Sequence, residues 1–144
     1  MHKNIKNLIY IQNEIKSKIF EHKIKDYNPN IIAISKTFNI DHILPLIEYE
    51  HIHFGENKVQ EAIDKWSEIK NKYIKIKLHM VGKLQTNKVK FAIKIFDYIH
   101  SVDNIKLAKK ISDEQKKNNK KPKIFIQINI GNEPQKLGIS TNKI

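Results

Sequence analysis

Lys36 follows the apolar run Ile31 to Ser35, and a lysine in that position has the right chemistry to capture an aldehyde. Such a reaction needs a neutral amine, whereas free lysine, with a pKa of about 10.4, is almost wholly protonated near neutral pH. Burial at a strand end disfavours the cation, so a lysine placed after five apolar residues is expected to be a better nucleophile than a solvated one. Three later segments have the same grammar, an apolar run closed by polar residues that then open a helix: His51 to Asn57, Lys77 to Gln85 and Tyr98 to Asp103. In an α/β barrel the groups at the carboxyl ends of parallel strands converge on one site. Asn57, at a strand-to-helix corner in the first of these segments, joins Lys36 as a candidate site residue, although it is also well suited to cap a helix. His51, His53, His79 and His100 invite a metal reading, since imidazole is a common ligand. No acidic or thiolate spacing completes a set, so packing or a polar layer is the expected role for most of them.

Elements of the right length surround these residues. Residues 4 to 24 carry Ile5, Leu8, Ile9, Gln12, Ile15, Ile19 and Phe20 near helical spacing and predict an amphipathic helix, ended by Asn28-Pro29-Asn30. Five strands are then expected: Ile31 to Ser35, His51 to Glu56, Lys77 to Gly82, Tyr98 to Val102 and Lys123 to Ile130. Between them the spacing predicts helices opened by Asp41, Asn57, Thr86 and Asp103, with Pro45 near a first turn. Alternation of this kind implies parallel pairing in an α/β fold of barrel type, incomplete at five strands out of eight. The whole chain, 1 to 144, is expected to be one such domain. Its first and fifth strands would be open edges, to be covered by self-association or by a complementing chain.

The motifs IIAISK, HFGENKVQE (His53 to Glu61), HMVGKLQTNK (His79 to Lys88), IHSVD (Ile99 to Asp103) and IQINIGNEPQKLGIS (Ile126 to Ser140) together resemble the pyridoxal 5'-phosphate homeostasis proteins, single-domain relatives of the alanine racemase barrel. The resemblance covers essentially the whole chain and rests on the set of motifs, since any one alone is weak. It implies a cofactor, pyridoxal phosphate, held as a Schiff base on Lys36, with Asn57 and His79 beside it and Lys136 at an accessory lysine position. It also implies a role in vitamin B6 homeostasis without turnover, other B6 vitamers being further candidate ligands. The rival readings are a racemase-like enzyme on the same barrel, and a split or non-functional fragment of the family. Two departures stand out: Phe38 occupies a position where the family often has a second lysine, and the carboxyl-terminal third that carries the family's phosphate cup is expected to be missing.

Composition narrows the remaining classes. All 27 cationic residues are lysine, and the net charge is +12. Charge alone speaks to solubility and non-specific association, and no nucleic-acid signature accompanies it, so no specific nucleic-acid partner is expected. There is no cysteine, which excludes disulfides and thiolate metal sites. The amino terminus is broken by charge every few residues, and no membrane segment or leader is expected. The chain reads as cytoplasmic.

Overall fold

The computed structural model describes residues 1–143. Its centre is a five-stranded parallel sheet in the order β1-β2-β3-β4-β5, formed by Ala33–Ile34, His53–Glu56, Lys77–Met80, Tyr98–Val102 and Lys123–Ile126. Helices alternate with the strands: α1 (Lys3–Glu21), α2 (Ile40–Glu48), α3 (Val59–Lys72), α4 (Val89–Ile95) and α5 (Ile105–Asn118). A 3-10 turn, Thr86–Lys88, leads into α4. Two short strands, β6 (Ile128–Asn129) and β7 (Ile139–Ser140), pair parallel to each other outside the main sheet. The result is an incomplete α/β barrel.

Apolar side chains at alternate strand positions meet the helices. Phe54, Leu78, Met80 and Ile99 are 0 to 1% exposed, and Val59, Ala62, Trp66, Val89, Ala92, Ile93, Leu107 and Ile111 bury the facing helix stripes. Trp66 lies against Phe54 with ring centroids 4.9 Å apart. Full burial of a large apolar side chain is worth roughly 1.5–3 kcal/mol, so this layer dominates the stability of the chain. On α1 only Leu8 is buried, and Phe20 is 87% exposed, so that helix is held far more weakly.

Local details differ from the pattern reading where side chains decide helix starts. Asn39, not Asp41, caps α2, its side chain accepting the His42 N–H. Asn104, not Asp103, caps α5 by accepting the Leu107 N–H at 2.9 Å. The expected Asn57 cap is absent: Lys58 occupies the cap position of α3, with no side-chain bond. Pro45 lies inside α2, past its first turn, where its missing N–H forfeits one helical bond. The first strand is reduced to two residues, and the run Lys123 to Ile130 breaks at Gln127, whose N–H pairs back to Val102 and whose carbonyl accepts from Ile139.

Edge exposure follows from the open sheet. Ile124, Phe125 and Ile126 on β5 are 39%, 49% and 65% exposed, and Ile34 on β1 is 47% exposed. Both faces of β5 are therefore apolar and open.

Candidate functional site

Register assigns the face turned away from the helices. Ile34, Gly55, His79, Tyr98 and Lys123 pair successively across the five strands and form one continuous row. Strand alternation puts His100 and Phe125 in the next row toward the carboxyl ends, and Lys36 and Asn57 follow just beyond the ends of β1 and β2. A Cβ on Gly55 would lie 2.7 Å from Ile34 Cδ1, so a larger residue there would require the Ile34 side chain to move.

Lys36 sits at the apex of a turn. Phe38 N–H donates to the Ser35 carbonyl at 3.3 Å, and Thr37, third in the turn, has φ +67°. Lys36 is exposed, so the burial expected for it is not supplied by the described residues. Phe38 beside it is 52% exposed and packs on the His42 ring at 5.9 Å.

Asn57 closes β2 against the loop after β3. A Cβ on Gly82 would lie 2.8 Å from Asn57 Cα and would collide with the Asn57 carbonyl oxygen, so the two strand ends are in direct backbone contact. The Asn57 side-chain oxygen is buried without a hydrogen-bond partner among the described residues. A buried acceptor of this kind costs free energy unless a ligand satisfies it. Beside it lies a pocket of about 330 Å³ lined by Asn57, Lys58, Lys83 and Lys88 among others, a cationic surface at the carboxyl ends of β2 and β3.

His79 is the centre of an imidazole chain. His53 Nδ1 meets His79 Nε2 at 2.9 Å, and His79 Nδ1 meets His100 Nε2 at 2.9 Å. The His79 ring also stacks on Tyr98, with centroids 4.2 Å apart and planes 7° from parallel, and His100 stacks on Phe125 at 4.5 Å. Burial, reinforced by the neighbouring His100 and His53, pushes the His79 pKa down from 6.5 to about 4. Burial also lowers His53, helped by Lys77 and opposed by Asp97, and lowers His100. His79 is 3% exposed and both its nitrogens are engaged. His51 turns elsewhere, its Nε2 against the His53 carbonyl at 2.8 Å.

Lys136 is separate from these groups, exposed and paired with Glu133 at 2.7 Å in the segment between β6 and β7. Pattern reading overlooked a second cluster, formed by Glu56, Glu61 and Lys65. Glu56 is fully buried at the end of β2, where its Oε1 accepts from Ser35 Oγ (2.7 Å), Trp66 Nε1 (2.9 Å) and Lys65 Nζ (3.0 Å). The signal was present: Glu56 closes a strand that is otherwise apolar or imidazole, and Lys65 and Trp66 follow on the helix stripe that must pack against it.

The residues fit the group that the sequence implied. The set comprises an exposed amine at a strand-end turn, an unsatisfied buried acceptor and a lysine-lined pocket able to meet a phosphate dianion, all at one end of the sheet. Among the described residues no three His, Asp or Glu side chains are grouped to hold a metal. Among the same residues no helix is long and apolar enough to cross a membrane.

Known proteins resemble this chain in sequence and fold. The pyridoxal phosphate homeostasis protein of Pasteurella multocida is 34% identical over 139 residues, covering 96% of this chain and 59% of its own length. The homologous protein of Buchnera aphidicola is 41% identical over 109 residues, covering 76% of this chain and 47% of the relative. This chain thus spans about half the length of the curated relatives it matches. PipY of Synechococcus elongatus, solved without pyridoxal phosphate, superposes with a TM-score of 0.72 at 33% identity over 85% of this chain and 57% of PipY. The same protein with pyridoxal phosphate bound gives a TM-score of 0.70 at 31% identity, with the same coverage. The family model of the alanine racemase N-terminal domain matches residues 16–144, and the chain belongs to that family.

Proposed function

We propose that this chain binds pyridoxal 5'-phosphate covalently through the Lys36 amine, with Asn57 and His79 on the same face of the sheet, as one binding unit over its whole length. The observation that carries the reading is the position of Lys36 at the apex of the turn after β1, at the same end of the sheet as Asn57. Support comes from PipY, solved with pyridoxal phosphate bound, and from relatives named pyridoxal phosphate homeostasis proteins. The bound cofactor would supply an aldehyde and an electron-withdrawing ring. Lys36 offers the amine, the Asn57 oxygen an acceptor, and Lys58, Lys83 and Lys88 the charge that neutralises a phosphate.

The function is cytoplasmic vitamin B6 homeostasis without turnover, and other B6 vitamers are candidate ligands. An open β5 edge suits self-association or a complementing chain. The test is borohydride reduction of the purified chain with stoichiometric pyridoxal phosphate, followed by peptide mapping against Lys36→Ala. Label concentrated on Lys36 supports the reading. Label scattered over the other 26 lysines, as unspecific amines would give, overturns it. An amino-acid racemisation assay addresses turnover, and sustained racemisation that is lost in Lys36→Ala would replace the homeostasis role with an enzymatic one.

A further inference from the structure

The backbone on both sides of Lys36 is tied to β2 and α3. Before it, Ser35 donates its N–H to the Gly55 carbonyl at 2.9 Å and its hydroxyl to Glu56 Oε1 at 2.7 Å, while its own carbonyl accepts from Lys65 Nζ at 2.8 Å. After it, Thr37 donates its N–H to Glu61 Oε1 at 2.8 Å. Lys65 joins the two ends, with its ammonium 3.0 Å from Glu56 Oε1 and 3.4 Å from Glu61 Oε1. One buried cation thus links two carboxylates, and each carboxylate holds one flank of Lys36.

Two features show that this network does more than fill space. Thr37 has φ +67°, a left-handed conformation that a β-branched residue avoids unless its surroundings impose it, and the third position of such a turn ordinarily takes glycine. The only partner of the Thr37 N–H among the described residues is Glu61. Second, a largely buried ion pair is often no more stabilising than an apolar pair of the same size, so stability alone is a weak reason for Glu56 and Lys65 to sit beneath this turn. Conformational specificity is the better-supported reason, and the conformation specified is that of residues 35 to 38.

We propose that Glu56, Lys65 and Glu61 are positioning residues that hold the strained Ser35–Phe38 turn and so direct the Lys36 amine onto the ligand-binding face. The inference rests on the reading of Lys36 as the cofactor lysine. Glu61 is the informative position, because its side chain is 30% exposed and can be replaced without opening the core. Glu61→Ala removes the acceptor of the Thr37 N–H, whereas Glu61→Gln keeps an oxygen there and removes only the charge.

The experiment measures the pyridoxal phosphate concentration giving half-maximal borohydride label at Lys36, together with the melting temperature and hydrogen exchange at the Thr37 amide. The expected result is an about tenfold rise for Glu61→Ala, the equivalent of one lost hydrogen bond, with a nearly unchanged melt and faster Thr37 exchange. Glu61→Gln should restore labelling to within about twofold of the wild type. If Glu61→Ala frees the Thr37 amide and still labels at the wild-type concentration, the positioning role is wrong while the cofactor reading stands. If the wild-type chain itself shows no preference for Lys36, the cofactor reading fails and the positioning role falls with it.

Discussion

His79 lies flat on Tyr98, ring centroids 4.2 Å apart, while both its nitrogens are held by other imidazoles. In that arrangement the His53, His79 and His100 trio can carry no proton beyond its neutral complement, or one, but not two. A single proton on His79 lets it donate to both neighbours. Protonating both ends leaves two N–H groups facing each other at one of the contacts.

Acid should therefore weaken the fold through these groups. The folded pKa of His79 is about 4, against 6.5 when unfolded, so between those values the unfolded chain binds more protons. The His79 contribution is fully present above about pH 6.5 and is lost as pH falls toward 4. Thermal melts at intervals from pH 7.5 to 4.5 should show this decline, and His79→Phe, which keeps the stack on Tyr98, should show a shallower one. Equal slopes would mean that His79 is not the group that titrates.

Removing Lys65 should be costly. It would leave the Glu56 carboxylate without its ammonium at 0% exposure, a loss of roughly 3–5 kcal/mol when one partner of a buried pair is deleted. Urea unfolding of Lys65→Met should show that loss, and the double variant Lys65→Met with Glu56→Gln should recover part of it. A Lys65→Met chain as stable as the wild type would show that the carboxylate escapes to water or takes up a proton at little cost.

Gly82→Ala should separate the ends of β2 and β3. The new methyl group would lie 2.8 Å from Asn57 Cα, and relief requires backbone movement rather than a side-chain rotation. A destabilisation of about 1–3 kcal/mol is expected, the usual cost of forcing extra volume into a filled site. It should be accompanied by weaker labelling of Lys36, measured as described above.

Ile126→Lys tests the open edge. Ile126 is 65% exposed, so the substitution should leave the melting temperature nearly unchanged, surface changes of this kind usually lying within about 0.5 kcal/mol. Concentration-dependent association, followed by light scattering, should fall. Association that persists unchanged would show that β5 is not the surface through which copies meet.

Much of this architecture was legible in the residue pattern, because alternation of short β-branched runs with helical spacing has one economical solution. The five parallel strands, the helices between them and the position of Lys36 just past β1 follow from periodicity and from the turn signals. Helix caps were less legible. Asp41 and Asn39, or Asp103 and Asn104, are chemically equivalent candidates, and the choice depends on which backbone N–H each side chain reaches. The length of β1 was also hidden, since only two residues of the apolar run find partners on β2.

By itself the sequence determined the fold class and the strand-end grammar, and it singled out Lys36 by its place after an apolar run, while His79, and Asn57 beyond its strand-to-helix corner, came forward through the resemblance of the motifs. The tertiary structure decided what those residues touch. It buried His79 within an imidazole chain, released Asn57 from capping and left its oxygen unsatisfied, and gathered Glu56, Glu61 and Lys65 beneath the Lys36 turn. The contacts of His79 with His53 and of the Lys36 turn with Glu61 and Lys65 join residues 24 to 30 positions apart through strand register and helix packing, beyond the reach of local spacing.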